Sequence, residues 1–251
     1  LCVNVKLYIK KIFCFLLGCF IIQIGCAAFI NANTGGDSCV VFIQGISKAL
    51  NITVGSANYI FMFCALVLLL IFARNKISLG TFLATLAAGM FLDIANEAIQ
   101  KLSIESMPFV VRILVVAISC VVISIGFSIQ KTANLGVAPH DEIPFVISES
   151  FKIQYRWIRI CLDLTYVVAG YLLGGVFGLG TIVATLLLGP TIQFFLPIVE
   201  RPVKKFLGFQ RTGKCQDILS KVKNKWFSLK TSTTQKQHDN WQASLESLEY
   251  K

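Results

Sequence analysis

The chain has 251 residues, of which 55% are hydrophobic and only 14% charged, with a mean hydropathy of +0.72. A soluble domain usually carries about 25% charged residues, so this composition excludes an ordinary soluble globule and puts most of the chain in a bilayer. The net charge of +10 is concentrated in residues 201–251, which hold eleven Lys or Arg against four Asp or Glu; this suits anionic lipid headgroups, and with no accompanying motif it does not indicate nucleic acid.

A helix needs about 20 apolar residues to cross the hydrocarbon core. Six stretches predict such spans: 11–31, 55–73, 79–100, 109–130, 157–174 and 179–199. The first follows Lys10-Lys11 and is expected to remain as a span rather than leave as a signal peptide. With six spans, one side of the membrane receives both ends and the loops at Arg74-Lys76 and at Lys131–Arg159. That side collects twenty positive residues, and the opposite side only Lys48 and Lys101. Positive residues mark the cytoplasmic side, so both ends are predicted there. The parts in order are an amino-terminal segment 1–10, a membrane unit 11–101, a second unit 109–200 and a basic tail 201–251, read as a solvated cytoplasmic segment.

The two units repeat each other. Cys19, Ile22, Ile24, Gly25, Ala32, Asn33, Gly35, Ile46 and Ser47 recur 101 residues later as Cys120, Ile123, Ile125, Gly126, Ala133, Asn134, Gly136, Ile147 and Ser148. Leu79-Gly80-Thr81, Ala84-Thr85-Leu86 and Gly89 recur 100 residues later as Leu179-Gly180-Thr181, Ala184-Thr185-Leu186 and Gly189. An odd number of spans per copy inverts the second relative to the first. Residues 37–50 are too short for an ordinary span and are expected, with 139–151, to be re-entrant or interfacial. Were 37–50 to cross fully, the copies would be parallel. The predicted fold is all-α, with about six transmembrane helices in two inverted three-helix repeats, each with such a short helix.

The sharpest local motif is Ala133-Asn134-Leu135-Gly136-Val137-Ala138-Pro139-His140-Asp141. Asn and Gly accept left-handed backbone and end a helix. Pro139 suits the first turn of a new one, and Asp141 and Glu142 meet its positive dipole end. The first copy repeats the break at Asn33 and Gly35 but has Ser38, Cys39 and Val40 where Pro139, His140 and Asp141 stand. Two readings stay open: an ordinary capping loop, or a broken-helix site for a polar solute. On the second reading the substrate-binding candidates are Asn33, Gly35, Asn134, Gly136, Pro139, His140 and Asp141. Asp93 and Glu97, four apart on one helix face, are candidates for ion coupling. Asp163 is expected to pair with Arg159, four residues before it.

Nine cysteines without a Cys-x-x-Cys pair indicate neither zinc nor a disulfide framework. The motifs of zinc proteases, serine hydrolases and nucleotide-binding loops are absent, so neither an enzyme nor a metal site or other cofactor is expected.

The Ala133–Asp141 motif, together with Gln44-Gly45-Ile46-Ser47 and Gly178-Leu179-Gly180-Thr181, resembles the bacterial YczE family of integral membrane proteins, related in description to the YyaS/YitT group. The resemblance covers about residues 11–200. His140 stands where that family has an aromatic residue, and the first copy lacks the Pro and the Asp. The resemblance implies a multi-pass protein of the bacterial plasma membrane and carries no established substrate.

The expected function is a secondary transporter for an unidentified small polar solute. Its partners are the lipid bilayer, that solute, and either a second copy of the chain or a membrane partner protein. The alternative is a non-transporting membrane protein that supports or regulates another complex.

Overall fold

The computed structural model describes residues 5–74 and 77–207. Among them it contains only helices: α1 Val5–Ala32, α2 Ser38–Leu50, α3 Val54–Phe72, α4 Leu79–Gln100, α5 Phe109–Ala133, α6 Pro139–Phe151, α7 Tyr155–Leu172 and α8 Leu179–Phe206, with a short 3-10 turn at Ile104–Ser106. The polar tail beyond residue 207 lies outside the described residues.

Among the described residues five helices are long and apolar enough to cross a membrane: α1, α3, α4, α5 and α8. The expectation of six apolar spans is corrected at α7. It has 18 residues, a length of about 27 Å, but Arg159 and Asp163 lie within it and lower its apolar character. A second correction concerns the end of α8, which does not stop at residue 199, the predicted limit of the last span. The helix runs on to Phe206 through Pro190, Pro197 and Pro202. Each proline removes one amide donor, a loss that neighbouring groups in a membrane helix can absorb.

The centre of the fold is an antiparallel crossing of α1 and α5. Gly18 lies against Gly126, and Gly25 against Ser119 and Ile123. A Cβ on Gly18 would sit 2.7 Å from the Gly126 oxygen, and one on Gly126 would sit 2.8 Å from the Gly18 oxygen. Small residues let backbones approach this closely and gain dispersion contact that lipid does not supply. Around this pair, α4 packs on α1 and α8 on α5.

Matched positions in the two copies adopt matched backbone. Asn33 and Asn134 end α1 and α5 at φ 48° and 52°, and Gly35 and Gly136 follow at φ 93° and 118°. Each break docks on the other copy: the Gly180 N–H donates to the Thr34 carbonyl, and the Gly80 N–H to the Leu135 carbonyl, both at 2.9 Å. The two short helices end alike as well. The Ser47 hydroxyl donates to the Ile52 carbonyl at 2.6 Å and the Ser148 hydroxyl to the Ile153 carbonyl at 2.7 Å.

These short helices begin at mid-height beside their long neighbours. At the start of α2, the Ser38 hydroxyl donates to Asp163, halfway along α7. Further on, Gly45 abuts Gly170 and Lys48 reaches Gly174, so α2 follows α7 from its middle to its end and does not cross. At the start of α6, the His140 ring lies 5.6 Å from Phe61, near the middle of α3. Both are half-helices that run beside only part of a longer neighbour.

Candidate functional site

The first turns of α2 and α6 open on one cavity of about 1230 Å³, bounded also by α1, α3, α4, α5, α7 and α8. A chain of polar contacts ties the half-helices together across α7. The Ser38 hydroxyl donates to Asp163 Oδ1 at 2.8 Å. Arg159 Nε donates to Asp163 Oδ2 at 3.2 Å, and Arg159 Nη1 to Asp141 Oδ1 at 2.9 Å. His140 Nε2 lies 3.6 Å from the second Asp141 oxygen. The predicted Arg159–Asp163 pair is present, and Arg159 additionally bridges to the other half-helix. Charge-assisted bonds of this kind hold geometry well in a water-poor interior.

Both half-helices bring carboxylates to their own positive ends. Asp37 occupies the N-cap position of α2 without forming a capping hydrogen bond. Asp141 and Glu142 stand in the first turn of α6 behind Pro139. Asp37 interacts electrostatically with Arg159, Asp163, His140 and Asp141. The cavity wall also holds two deeply buried polar side chains whose oxygens lack a hydrogen-bond partner: Asn58 Oδ1 and Thr181 Oγ1, on residues 1% and 4% exposed.

The candidate residues read from sequence divide into three groups. His140 and Asp141 line the cavity. Asn33, Gly35, Asn134, Gly136 and Pro139 shape the breaks that deliver the half-helices. The Asn33 amide donates to Glu105, while its carbonyl and that of Ala32 accept from Arg112, an intramembrane arginine that thereby satisfies the end of α1. Pro139 is buried at the start of α6. Gly35 packs against Thr181 and Gly178, and Gly136 against Ser78. The third group lies elsewhere: Asp93 and Glu97 line a separate recess of about 430 Å³ with Thr53, Asn96 and Gln100. Asp93 accepts from the Gly55 N–H at 2.8 Å and the Thr53 hydroxyl at 2.9 Å, tying down the start of α3.

Sequence reasoning missed Asp37, Ser38 and Asn58, and the bridging reach of Arg159. Asp37 stands at the position of Ala138, inside the compared motif but at a place where the second copy has no polar group. Asn58 was visible as an isolated amide within an apolar run, a placement expensive in a membrane.

Half-helices meeting at a polar cluster within a bundle of membrane-length helices define a multi-pass helical membrane protein. The chain belongs to the family of unknown function DUF6198, which it matches over residues 9–197. It is 28% identical over 192 residues to an uncharacterised protein of Haemophilus influenzae, covering 76% of this chain and 86% of that one. It is 30% identical over 127 residues to the uncharacterised membrane protein YczE of Bacillus subtilis, covering 51% and 57%. It is 25% identical over 201 residues to the uncharacterised protein YyaS of the same organism, covering 78% and 96%. The resemblance to the YczE group therefore holds. No solved structure matches the chain.

Proposed function

We propose that this protein is a secondary carrier that moves a small polar solute across the bacterial plasma membrane, built as two inverted three-helix repeats in which the more polar α7 makes the sixth crossing, with both ends cytoplasmic. One observation carries the reading: a half-helix from each copy starts at mid-height, and both first turns open on the same cavity. Paired broken helices at a repeat interface are how many carriers place a binding site near the midplane. The antiparallel α1–α5 crossing and the reciprocal docking of the two breaks support the inversion. The site's work on this reading is binding and passage rather than bond chemistry.

The lining reaches Lys131 and Glu149, at the ends of α5 and α6 beside the positively charged loops, and on this reading the cavity opens toward the cytoplasmic side. Coupling falls to the carboxylates of the cavity. Asp93 is committed to the start of α3 and Glu97 lies in the other recess.

The test is comparative metabolite profiling of cells and medium with the wild-type chain, with Asp141→Asn and with no chain. A metabolite class redistributed by the wild type and not by Asp141→Asn is expected. Identical profiles in all three would remove the carrier reading and favour an accessory role in another membrane complex.

A further inference from the structure

We propose that Asp37 reversibly binds a proton in the central cavity, and that this proton is the coupling ion of the carrier. The site stands on its own geometry, and its use in coupling rests on the carrier reading.

The charges around Arg159 do not balance. Its guanidinium donates to Asp141 and to Asp163, and the Ser38 hydroxyl donates to Asp163 as well. Asp37 lines the same cavity and interacts electrostatically with Arg159, Asp141, Asp163 and His140. Among the described residues its carboxylate has neither a hydrogen bond nor an ion pair, and its N-cap position brings it no capping bond. The dipole of α2 adds only about half a positive charge. Three carboxylates thus share one guanidinium, and like charges gathered in a water-poor interior disfavour full ionisation. The one without a hydrogen bond is the one a proton neutralises. Glu142 and Glu149 also line the cavity and have partners of their own; the imbalance is that of the three aspartates alone. Nor does the chain break require this carboxylate, since the matching break of the second copy forms with Ala138 in its place.

His140 is the rival proton acceptor, and its surroundings disfavour it. Its Nε2 lies 3.6 Å from Asp141, but its Nδ1 is buried without a partner. A protonated imidazole donates from both nitrogens, and a buried donor left unmatched is unfavourable. The remaining groups within electrostatic reach of Asp37 are the thiols of Cys26 on α1, Cys39 on α2 and Cys120 on α5. A hard metal ion asks for about six oxygen ligands. A single free carboxylate among thiols, an imidazole and a guanidinium suits a proton instead.

The cavity wall supplies a path. Asn58 Oδ1, the Thr181 hydroxyl and His140 Nδ1 are buried polar atoms without partners, presented from α3, α8 and α6. Asn58 and Thr181 are 1% and 4% exposed. A carbonyl acceptor, a hydroxyl and a ring nitrogen together match water, which both donates and accepts. The lining continues to Lys131 and Glu149 at the ends of α5 and α6, so such water joins Asp37 to that side. The proton passes from water to an Asp37 oxygen and returns to water.

The experiment is infrared difference spectroscopy of the whole chain in nanodiscs between about pH 6 and about pH 9, where surface carboxylates stay ionised because they titrate at about pH 4. One protonated-carboxyl carbonyl band is expected, shifted in D2O and lost as pH rises. Asp37→Asn should abolish it with helical circular dichroism unchanged. Asp37→Glu should keep it at a shifted frequency, which guards against a fold effect, and Glu97→Gln should leave it as it is. Asp141→Asn removes a neighbouring negative charge and should move the band's midpoint to lower pH. A band that survives in Asp37→Asn, no titrating carboxyl at all, or an imidazole signal alone that disappears in His140→Gln would overturn the proposal. The two readings fail separately. A titrating Asp37 without metabolite redistribution keeps the proton site and removes the carrier. Redistribution with no Asp37 band keeps the carrier and removes the proton site.

Discussion

The same pair of helices is closed in one copy and open in the other. In the first, α3 and α4 pack backbone to backbone: a Cβ on Gly55 would lie 2.3 Å from the Gly89 oxygen, and one on Gly89 2.4 Å from the Tyr59 ring. The Tyr59 hydroxyl donates to the Leu86 carbonyl at 2.7 Å and accepts from the Met90 N–H at 3.1 Å, stitching the seam. In the second, α7 and α8 barely touch, and the cavity lies between them. Gly189, the counterpart of Gly89, has nothing within 4 Å of where a Cβ would stand. The sequence differs at the same places: Gly55, Tyr59 and Asp93 of the first copy correspond to Arg156, Ile160 and Gln193 of the second. A duplicated unit thus supplies a fixed frame, α1 with α5, and two seams that need not be in the same state.

The largest effect that sharpens this contrast comes from one change made in both seams. Gly89→Val forces the Tyr59 ring and the Gly55 backbone apart and should destabilise the fold by about 3 kcal/mol, the upper range for overpacking. Gly189→Val meets open space and should leave the detergent unfolding midpoint nearly unchanged. Equal losses would mean that both seams are closed. Next is Arg159→Ala, which strands Asp141 and Asp163 together. The three side chains are only partly exposed, so the loss should be about 2 kcal/mol, between the surface and buried limits, and Asp141→Asn in the same chain should recover part of it. A smaller effect is expected from Tyr59→Phe, about 1 kcal/mol for two bonds at the edge of the seam, readable as faster backbone hydrogen exchange confined to α3 and α4. The smallest test concerns what the copies share. Ser47→Ala and Ser148→Ala remove matching bonds and should each shift the midpoint by the same amount, equivalent to under about 1 kcal/mol.

Much of the frame was legible in the residues. Helix positions, the repeat and the breaks at Asn33 and Asn134 followed from apolar length and from left-handed backbone at matched offsets. That residues 37–50 are too short for an ordinary span followed from length alone. Three things were hidden. The end of α8 was hidden because proline, a reliable stop in water, is tolerated between neighbouring membrane helices. Asp37 was hidden because its contribution depends on a fold-back that brings the first half-helix to the second, 103 residues away from His140. The surroundings of Asp93 show a different limit. Its i, i+4 spacing to Glu97 was read correctly, but helix periodicity does not say which cavity a face meets, and this one meets the start of α3. The seam difference could not be read at all, since Gly89 and Gly189 are the same residue in the same motif.

The most direct measurement is a pair of spin-label distances in a cysteine-free chain reconstituted in lipid. One pair, Trp157→Cys with Phe194→Cys, spans the open α7–α8 seam at exposed positions. The other, Ser56→Cys with Ile94→Cys, sits at the corresponding places across the closed α3–α4 seam. Carriage by exchange of the two seams predicts two populations for each pair, with a proton gradient shortening the first distance as it lengthens the second. A single unchanging distance at both seams under every condition would contradict it.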